Sequence, residues 1–519
     1  MKRWLYPIIL LSLVLLGGCA DNPVTGERQL SLMSEQREIE IGEQGYLPGR
    51  QRHGGDYVVD RDLTRYVQQV GRRLATVADR QLPYEFVVVN DSTPNAWTLP
   101  GGKIAVNRGL LTELHNEAEL AAVLSHEIVH AAARHGARNM ERRLLLKGAL
   151  MAAAIAAQAN DIDNADLLLS AASVGAGLIG QKYSRDAELE ADRYGMIYMQ
   201  RAGYDPRAAV ALQETFVRLA EGREENWLTA LFASHPPSRE RVQRNRTTAR
   251  ELAADGGRIG EEAYLRATGR LRRDRPAYAA YDEGRRLLSD SPRRALALAR
   301  EAIAREPEEA LFHELKGDAL LALGKEERAR LAYDDSIARN DDFYRSHLKR
   351  GLLLSRLQMD DWLSRMDLEQ SLELLPTANA HLRLAQVLEQ DGAVEEALKH
   401  YLVAARSDTE AGEQARLELP RLDIEQHPGR YLEVTLDRDD EDRLWFAITN
   451  PTSIPVRNLE VLVGKKNFLG IIYRGETLLL TEVIEPGETA EYRSPVKGVY
   501  ADRKLRYYGV QILSAEKVE

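Results

Sequence analysis

The sequence predicts a multidomain chain: a mainly α domain with a small β-sheet, an α-solenoid, and a C-terminal antiparallel β-sandwich. Three observations carry this reading. Apolar residues in the first half fall at helical spacing around one β-branched run, Tyr84 to Asn90, and one hairpin pattern. A 34-residue period runs from Pro276 to Asp408. After His427-Pro428-Gly429 the apolar period changes from 3.6 to two.

With 519 residues, 44% of them hydrophobic, the chain is too long for a single core and too apolar for disorder. Its 70 basic and 80 acidic residues give a net charge of −10, which argues against a general nucleic-acid binder. A single cysteine excludes an intramolecular disulfide and any cysteine-ligated cluster.

That cysteine ends the first segment. Met1-Lys2-Arg3 precedes an apolar run from Leu5 to Leu16, too short to span a bilayer. Leu16-Gly17-Gly18-Cys19 then resembles the lipobox of bacterial lipoproteins. The resemblance implies cleavage after residue 18, acylation of Cys19 and stable membrane attachment. Ala20 follows the cysteine. By the sorting rule of Gram-negative lipoproteins, that implies the outer membrane, with the body in the periplasm.

Residues 19–33 are polar and turn-rich and read as a tether. Ser34, Arg37 and Glu38 open a short charged helix, the start of a domain over 34–272. Residues 60–79 read as an amphipathic helix and Tyr84 to Asn90 as a strand. Asn95 to Leu99 and Lys103 to Asn107 flank Pro100-Gly101-Gly102 as a hairpin. Asn116 with Glu119 caps a helix running to about Asn139. The Ala/Leu-rich stretches 144–157 and 167–180 fall short of the ~20 residues of a span and read as packed helices. Residues 182–202 and 206–220 read as helices, and 250–275 as a boundary.

Over 273–422, Gly317, Gly351 and Ala385 recur in phase, as do Ala295, Ala329, Leu363 and Ala397. This resembles about four tetratricopeptide (TPR) repeats, the third degenerate, and implies a protein partner. Residues 428–519 hold about seven short alternating segments, such as Leu432, Val434 and Leu436, similar to fibronectin- or immunoglobulin-like modules.

The chemistry sits on the capped helix. In His126-Glu127-Ile128-Val129-His130 the histidines, four apart, share one helix face and reach one ion. Glu127 lies about 100° round the helix, placed to act on a water without ligating the metal. A catalytic zinc needs a third ligand from elsewhere. In Ser184 to Asp192, Glu188 and Asp192 share a face while Glu190 points away. Glu188 is therefore the expected third ligand, with Asp192 accepting the free ring N–H of a ligating histidine. His115 and His135 lie off the metal face and read as surface or packing residues.

Together the two motifs resemble the zinc metallopeptidase family of the HtpX heat-shock protease, the CAAX prenyl protease and the mitochondrial Oma-type protease. Within it they are most similar to the periplasmic branch of beta-barrel assembly-enhancing proteases, which carry TPR repeats. Asn22-Pro23-Val24-Thr25-Gly26, Asn95-Ala96-Trp97, Leu99-Pro100-Gly101-Gly102 and Ser234-His235-Pro236-Pro237-Ser238 with Arg241 also look like that branch. The C-terminal sandwich and the degenerate third repeat depart from it.

The resemblance implies a zincin-like domain with one Zn²⁺ per chain, hydrolysing peptide bonds of unfolded or misassembled envelope proteins. Bound zinc acidifies water and polarises a carbonyl. Glu127 would take the water's proton and return it to the leaving amine. His235 would be either an oxyanion donor or a fourth ligand closing a latent site. Arg241 would place His235 or stabilise the oxyanion. The strand Lys103, Ile104, Ala105 and Val106 would pair with an extended substrate, or else be plain sheet core. The competing class is a non-enzymatic adaptor in which the repeats and sandwich bind envelope proteins and the zinc helix is structural.

Overall fold

The computed structural model describes residues 19–156, 182–221, 234–252, 256–359, 361–438, 443–467, 470–497 and 502–518. The stretch 167–180 and the segment before Cys19 lie outside them. Two compact units result, Met1–Lys349 and Arg350–Glu519.

In the first unit the segment expected to be a tether is folded. Strand β1 (Cys19–Asp21) pairs antiparallel with β2 (Arg28–Leu30). Asn22 and Val24 are buried, and Asn22 Oδ1 accepts hydrogen bonds from the Val24 and Thr25 amides, 2.9 and 3.3 Å away. An Asn side chain that mimics a turn in this way makes the loop specific rather than flexible. The helix begun at Ser34 is also longer than expected. Helix α1 (Glu35–Arg52) has 18 residues, and its buried Glu38 binds Arg80 at 2.5 Å and Arg134 at 2.6 Å.

Asp60 caps α2 (Arg61–Ala75), whose Leu63, Val67, Val70 and Leu74 are buried. Strands β3 (Glu85–Val89), β4 (Ala96–Leu99) and β5 (Lys103–Asn107) form a sheet of order β3-β5-β4. β3 runs parallel to β5, and β4 antiparallel to it. After α3 (Arg108–Glu113), the Asn116 side chain accepts the Glu119 amide at 2.9 Å and starts α4 (Glu117–Ala132). The expected helix to Asn139 is in fact two. Arg134 takes a left-handed φ of 63°, and α5 (His135–Ala156) begins after it. A non-glycine residue rarely holds that conformation. Here Glu38, Ser31 Oγ and the Met33 carbonyl all receive the Arg134 guanidinium.

Ser184 caps α6 (Arg185–Arg201), which packs on α4. A Cβ on Gly195 would sit 3.2 Å from the His126 backbone nitrogen, so the small residue sets how closely the two helices approach. Helices α7 (Arg207–Glu221) and α8 (Arg239–Leu252) complete the shell. The expected boundary at 250–275 is packed instead. Helix α9 (Glu261–Ala267) buries Tyr264, whose hydroxyl donates to the Leu111 carbonyl at 2.7 Å.

The helices α10 (Gly269–Arg286), α11 (Pro292–Arg305), α12 (Ala310–Ala322), α13 (Glu326–Arg339) and α14 (Tyr344–Leu357) follow. Tyr57 and Leu110 share one buried cluster with Tyr278, Phe312 and Phe343, so the first repeats and the preceding domain have a common core within this unit. Asn90 donates to the buried carboxylate of Glu309 at 3.0 Å, which also receives the Tyr278 hydroxyl at 2.6 Å.

Helices α15 (Asp361–Leu374), α16 (Ala378–Gln390), α17 (Val394–Ala404) and α18 (Glu410–Asp423) lie in the second unit. Along the chain α12, α14 and α16 begin at 310, 344 and 378, in step with the 34-residue period. The small residues of that period are contact points: a Cβ on Gly317 would overlap the Tyr333 ring, and one on Gly351 would meet Leu368 at 3.0 Å.

Among the described residues six strands end the second unit: β6 (Glu433–Arg438), β7 (Arg443–Thr449), β8 (Val456–Lys466), β9 (Ile472–Leu480), β10 (Thr489–Lys497) and β11 (Tyr508–Lys517). They form two antiparallel sheets, β10-β7-β6 and β11-β8-β9, and Phe446, Ile448, Val461 and Val463 join one buried cluster. Among the described residues no helix is long and apolar enough to cross a membrane.

Candidate metal centre

Helix α4 supplies His126, Glu127 and His130, and α6 supplies Glu188 and Asp192 one turn apart. His235 comes from the segment before α8 and Arg241 from α8 itself. One ligand atom from each of His126, His130, Glu188 and His235 lies within 4.8 Å of the other three, and all four residues group as buried or nearly so. The Nε2 atoms of His126 and His130 are 3.0 Å apart. His235 Nδ1 lies 3.0 Å from Glu188 Oε1 and 3.2 Å from His126 Nε2.

The donor set fits zinc in kind, since imidazole nitrogens and a carboxylate are its usual ligands. A second observation agrees. Glu127 Oε2 is buried and accepts no hydrogen bond from the described residues. Such an oxygen is costly unless water or substrate completes it.

Behind the donors stand further polar groups. Asp192 Oδ1 lies 3.1 Å from His126 Nδ1. Arg241 donates to both Asp192 oxygens at 2.7 Å, to the Pro236 carbonyl at 3.2 Å, and lies 2.9 Å from Glu188 Oε2. Its donors are therefore turned toward neighbouring carboxylates and the backbone next to His235. This geometry suits placing His235 better than meeting an oxyanion.

Charges follow these surroundings. Burial pushes Glu127 above the usual carboxylate range, with His235 and His126 opposing. Burial drives His130 well below the usual imidazole range, which keeps it neutral, the form that ligates. Burial alone would raise Glu188, but His235, His130 and His126 around it hold it well below the normal range. Burial opposes the ionised Asp192 too, and Arg241 outweighs it, holding the carboxyl at about 2.

Beside His126 and Glu127 opens a narrow cleft lined by Val123, Met196, Met199, Leu212 and Phe216. It is predominantly apolar, as a side-chain pocket next to a reacting centre would be.

The strand reading of Lys103, Ile104, Ala105 and Val106 is corrected. β5 is the middle strand, hydrogen-bonded to β3 on one side and β4 on the other. No edge is left for a substrate, and these residues are sheet core. Cys19 begins β1. His115 is exposed and lies 3.2 Å from Glu119.

Two residues at the site were not singled out from sequence. Tyr183 is buried and stacks on His130, with ring centroids 3.8 Å apart. His135, expected at the surface or in packing, is buried with its Nδ1 2.8 Å from His130 Nδ1. The break at Arg134 brings it there. Five residues along an unbroken helix it would lie about 140° from His130. Glu190 does not enter the donor group and receives the Asn22 amide at 2.9 Å.

Residues 61–249 match the model of Peptidase family M48. The chain belongs to that family. Its metallopeptidase domain is 33% identical over 205 residues to a putative beta-barrel assembly-enhancing protease of Vibrio cholerae, covering 38% of this chain and 42% of that protein. It is 33% identical over 224 residues to the mitochondrial metalloendopeptidase OMA1 of Schizosaccharomyces pombe, covering 43% and 64%. It is 32% identical over 180 residues to the metalloprotease YcaL of Escherichia coli, covering 33% and 67%. The chain thus spans about half the length of the first two M48 relatives. Among solved structures, a thermophilic TPR protein of Thermus thermophilus aligns at 23% identity over 31% of this chain and 89% of its own, with a TM-score of 0.25.

Proposed function

We propose that this chain is a zinc endopeptidase of the bacterial envelope, anchored by an acylated Cys19 and working on unfolded or misassembled envelope proteins. The carrying observation is the buried cluster of His126, His130, Glu188 and His235 beside the unpartnered oxygen of Glu127. His126, His130 and Glu188 would hold one Zn²⁺, which when bound supplies Lewis acidity and a more acidic water.

The remaining chemistry belongs to the chain. Glu127 takes a proton from the attacking water and delivers it to the departing amine. Its raised pKa suits both halves of that transfer. Asp192 fixes the His126 tautomer and Arg241 fixes Asp192. The cleft by Met196, Met199 and Leu212 receives an apolar side chain adjoining the scissile bond. Such side chains are exposed in unfolded substrates and buried in folded ones, which favours the former.

His235 is the gate. Its Nδ1 sits among the ligand atoms and its Nε2 lies 3.5 Å from Glu127 Oε1, so it closes the position a substrate needs. The name of the Vibrio cholerae relative, a putative beta-barrel assembly-enhancing protease, supports a role in outer-membrane protein assembly. The helical repeats would recruit a protein partner, and the C-terminal sheets would form a β-sandwich module. The lipobox-like Leu16-Gly17-Gly18-Cys19 supports the periplasmic, outer-membrane address.

The test is digestion of unfolded envelope protein and casein by the purified full chain, with metal analysis. One zinc per chain and cleavage that a chelator stops and zinc restores are expected. A zinc-bound chain that cleaves neither substrate, with or without the His235→Ala change, would favour the adaptor reading. For the address, Cys19→Ser should leave the membrane fraction; pelleting through a carbonate wash would contradict the anchor.

A further inference from the structure

Each zinc-binding imidazole has a second nitrogen, and what that atom touches fixes the ring's tautomer and angle. For His126 it is Asp192. For His130 no carboxylate among the described residues stands directly behind the ring. Its Nε2 is turned to the ligand cluster, 3.0 Å from His126 Nε2 and 3.4 Å from Glu188 Oε1. The ring proton therefore belongs on Nδ1, which is 2.8 Å from His135 Nδ1.

That contact fixes the tautomer of His135 as well. Its Nδ1 must accept, so its proton sits on Nε2. Nε2 is buried without a hydrogen-bond partner among the described residues, and the carboxylate it faces is Glu190, whose Oε1 lies 3.5 Å away. The same Glu190 oxygen accepts from Asn22 Nδ2 at 2.9 Å. Asn22 is buried, and its own Oδ1 organises the turn between β1 and β2. The Arg134 break that presents His135 is clamped by Ser31, Met33 and Glu38 of the same N-terminal stretch. Tyr183, stacked on His130, closes the other side of that ring.

We infer that His135, Glu190 and Asn22 form a positioning relay for His130, which ties the folded segment after Cys19 to the metal centre. This rests on the zinc reading above. In the relay Glu190 takes, through His135, the part that Asp192 takes directly for His126. None of the three residues touches substrate. They act through His130, so zinc affinity and not turnover alone must respond. The segment after Cys19 becomes part of the centre's support, and displacing it would loosen the metal.

The experiment measures zinc affinity of the full chain by chelator competition, together with melting of the zinc-free protein. His135→Ala is expected to weaken zinc binding about 10–100-fold, with melting of the zinc-free chain little changed. His135→Gln, whose amide oxygen accepts from His130, should recover most of the loss. Glu190→Gln and Asn22→Ala should each weaken binding less, and the double variant should match Glu190→Gln alone. Wild-type affinity in His135→Ala would overturn the relay. If that variant does not fold, wild-type affinity in both Glu190→Gln and Asn22→Ala overturns it instead. A wild-type chain that binds no zinc would overturn the metallopeptidase reading rather than the relay.

Discussion

The Asp192 carboxylate lies 3.1 Å from the Nδ1 of His126 and takes two hydrogen bonds of 2.7 Å from Arg241. One buried acid thus orients the imidazole of a candidate ligand and is itself held ionised by a buried guanidinium. Asp192→Asn keeps the shape but removes the charge. It should weaken zinc binding about 10–100-fold, measured by chelator competition, while Arg241 loses one of its two carboxylate partners, Glu188 remaining, and the melting temperature falls. Unchanged affinity would mean that His126 is oriented by packing alone.

His235 touches both the ligand group and the catalytic acid candidate. Because its Nε2 stands 3.5 Å from Glu127 and its Nδ1 among the ligand atoms, His235→Ala should open the site. Faster cleavage of casein with zinc retained is the expected outcome. Loss of cleavage would assign His235 to the oxyanion instead.

Much of this was legible in the sequence, and the exceptions share a cause. Helix phase places His126, Glu127 and His130 on α4 and Glu188 with Asp192 on α6, because i and i+4 residues share a face whatever the helix packs against. The 34-residue period locates the helix pairs because the small residues mark their contacts, as Gly317 does against Tyr333. What periodicity misses is its interruption. Nothing local in Ala133-Arg134-His135 announces a helix break. The left-handed Arg134 is held by Glu38, Ser31 and Met33, about a hundred residues earlier. Likewise the hairpin at Pro100-Gly101-Gly102 is legible, but which strand of the sheet is central depends on β3 pairing parallel to β5 from a distance.

Stability of the first unit should depend on pH through Glu314. This residue is fully buried and lies 2.8 Å from Arg345 Nε, with Lys349 also in contact. Burial alone would raise its pKa, but Arg345 and Lys349 hold it well below the usual carboxylate range. A lowered folded-state pKa stabilises the fold above the unfolded value of ~4.3, and the contribution fades as pH falls toward the folded value. Glu314→Gln should therefore cost about 3–5 kcal/mol at pH 7, read from urea unfolding, and less as the pH drops below ~4. A gap that stays constant with pH would place the effect in packing rather than charge.

In the proposed mechanism Glu127 moves the proton while His126, His130 and Glu188 hold the metal. Glu127→Gln is nearly isosteric and removes the base. The most direct measurement is proteolysis by this variant beside its zinc content. Full zinc occupancy, an unchanged melting temperature and a rate lower by about 10²–10⁴-fold are expected. Undiminished cleavage with zinc bound would contradict that mechanism.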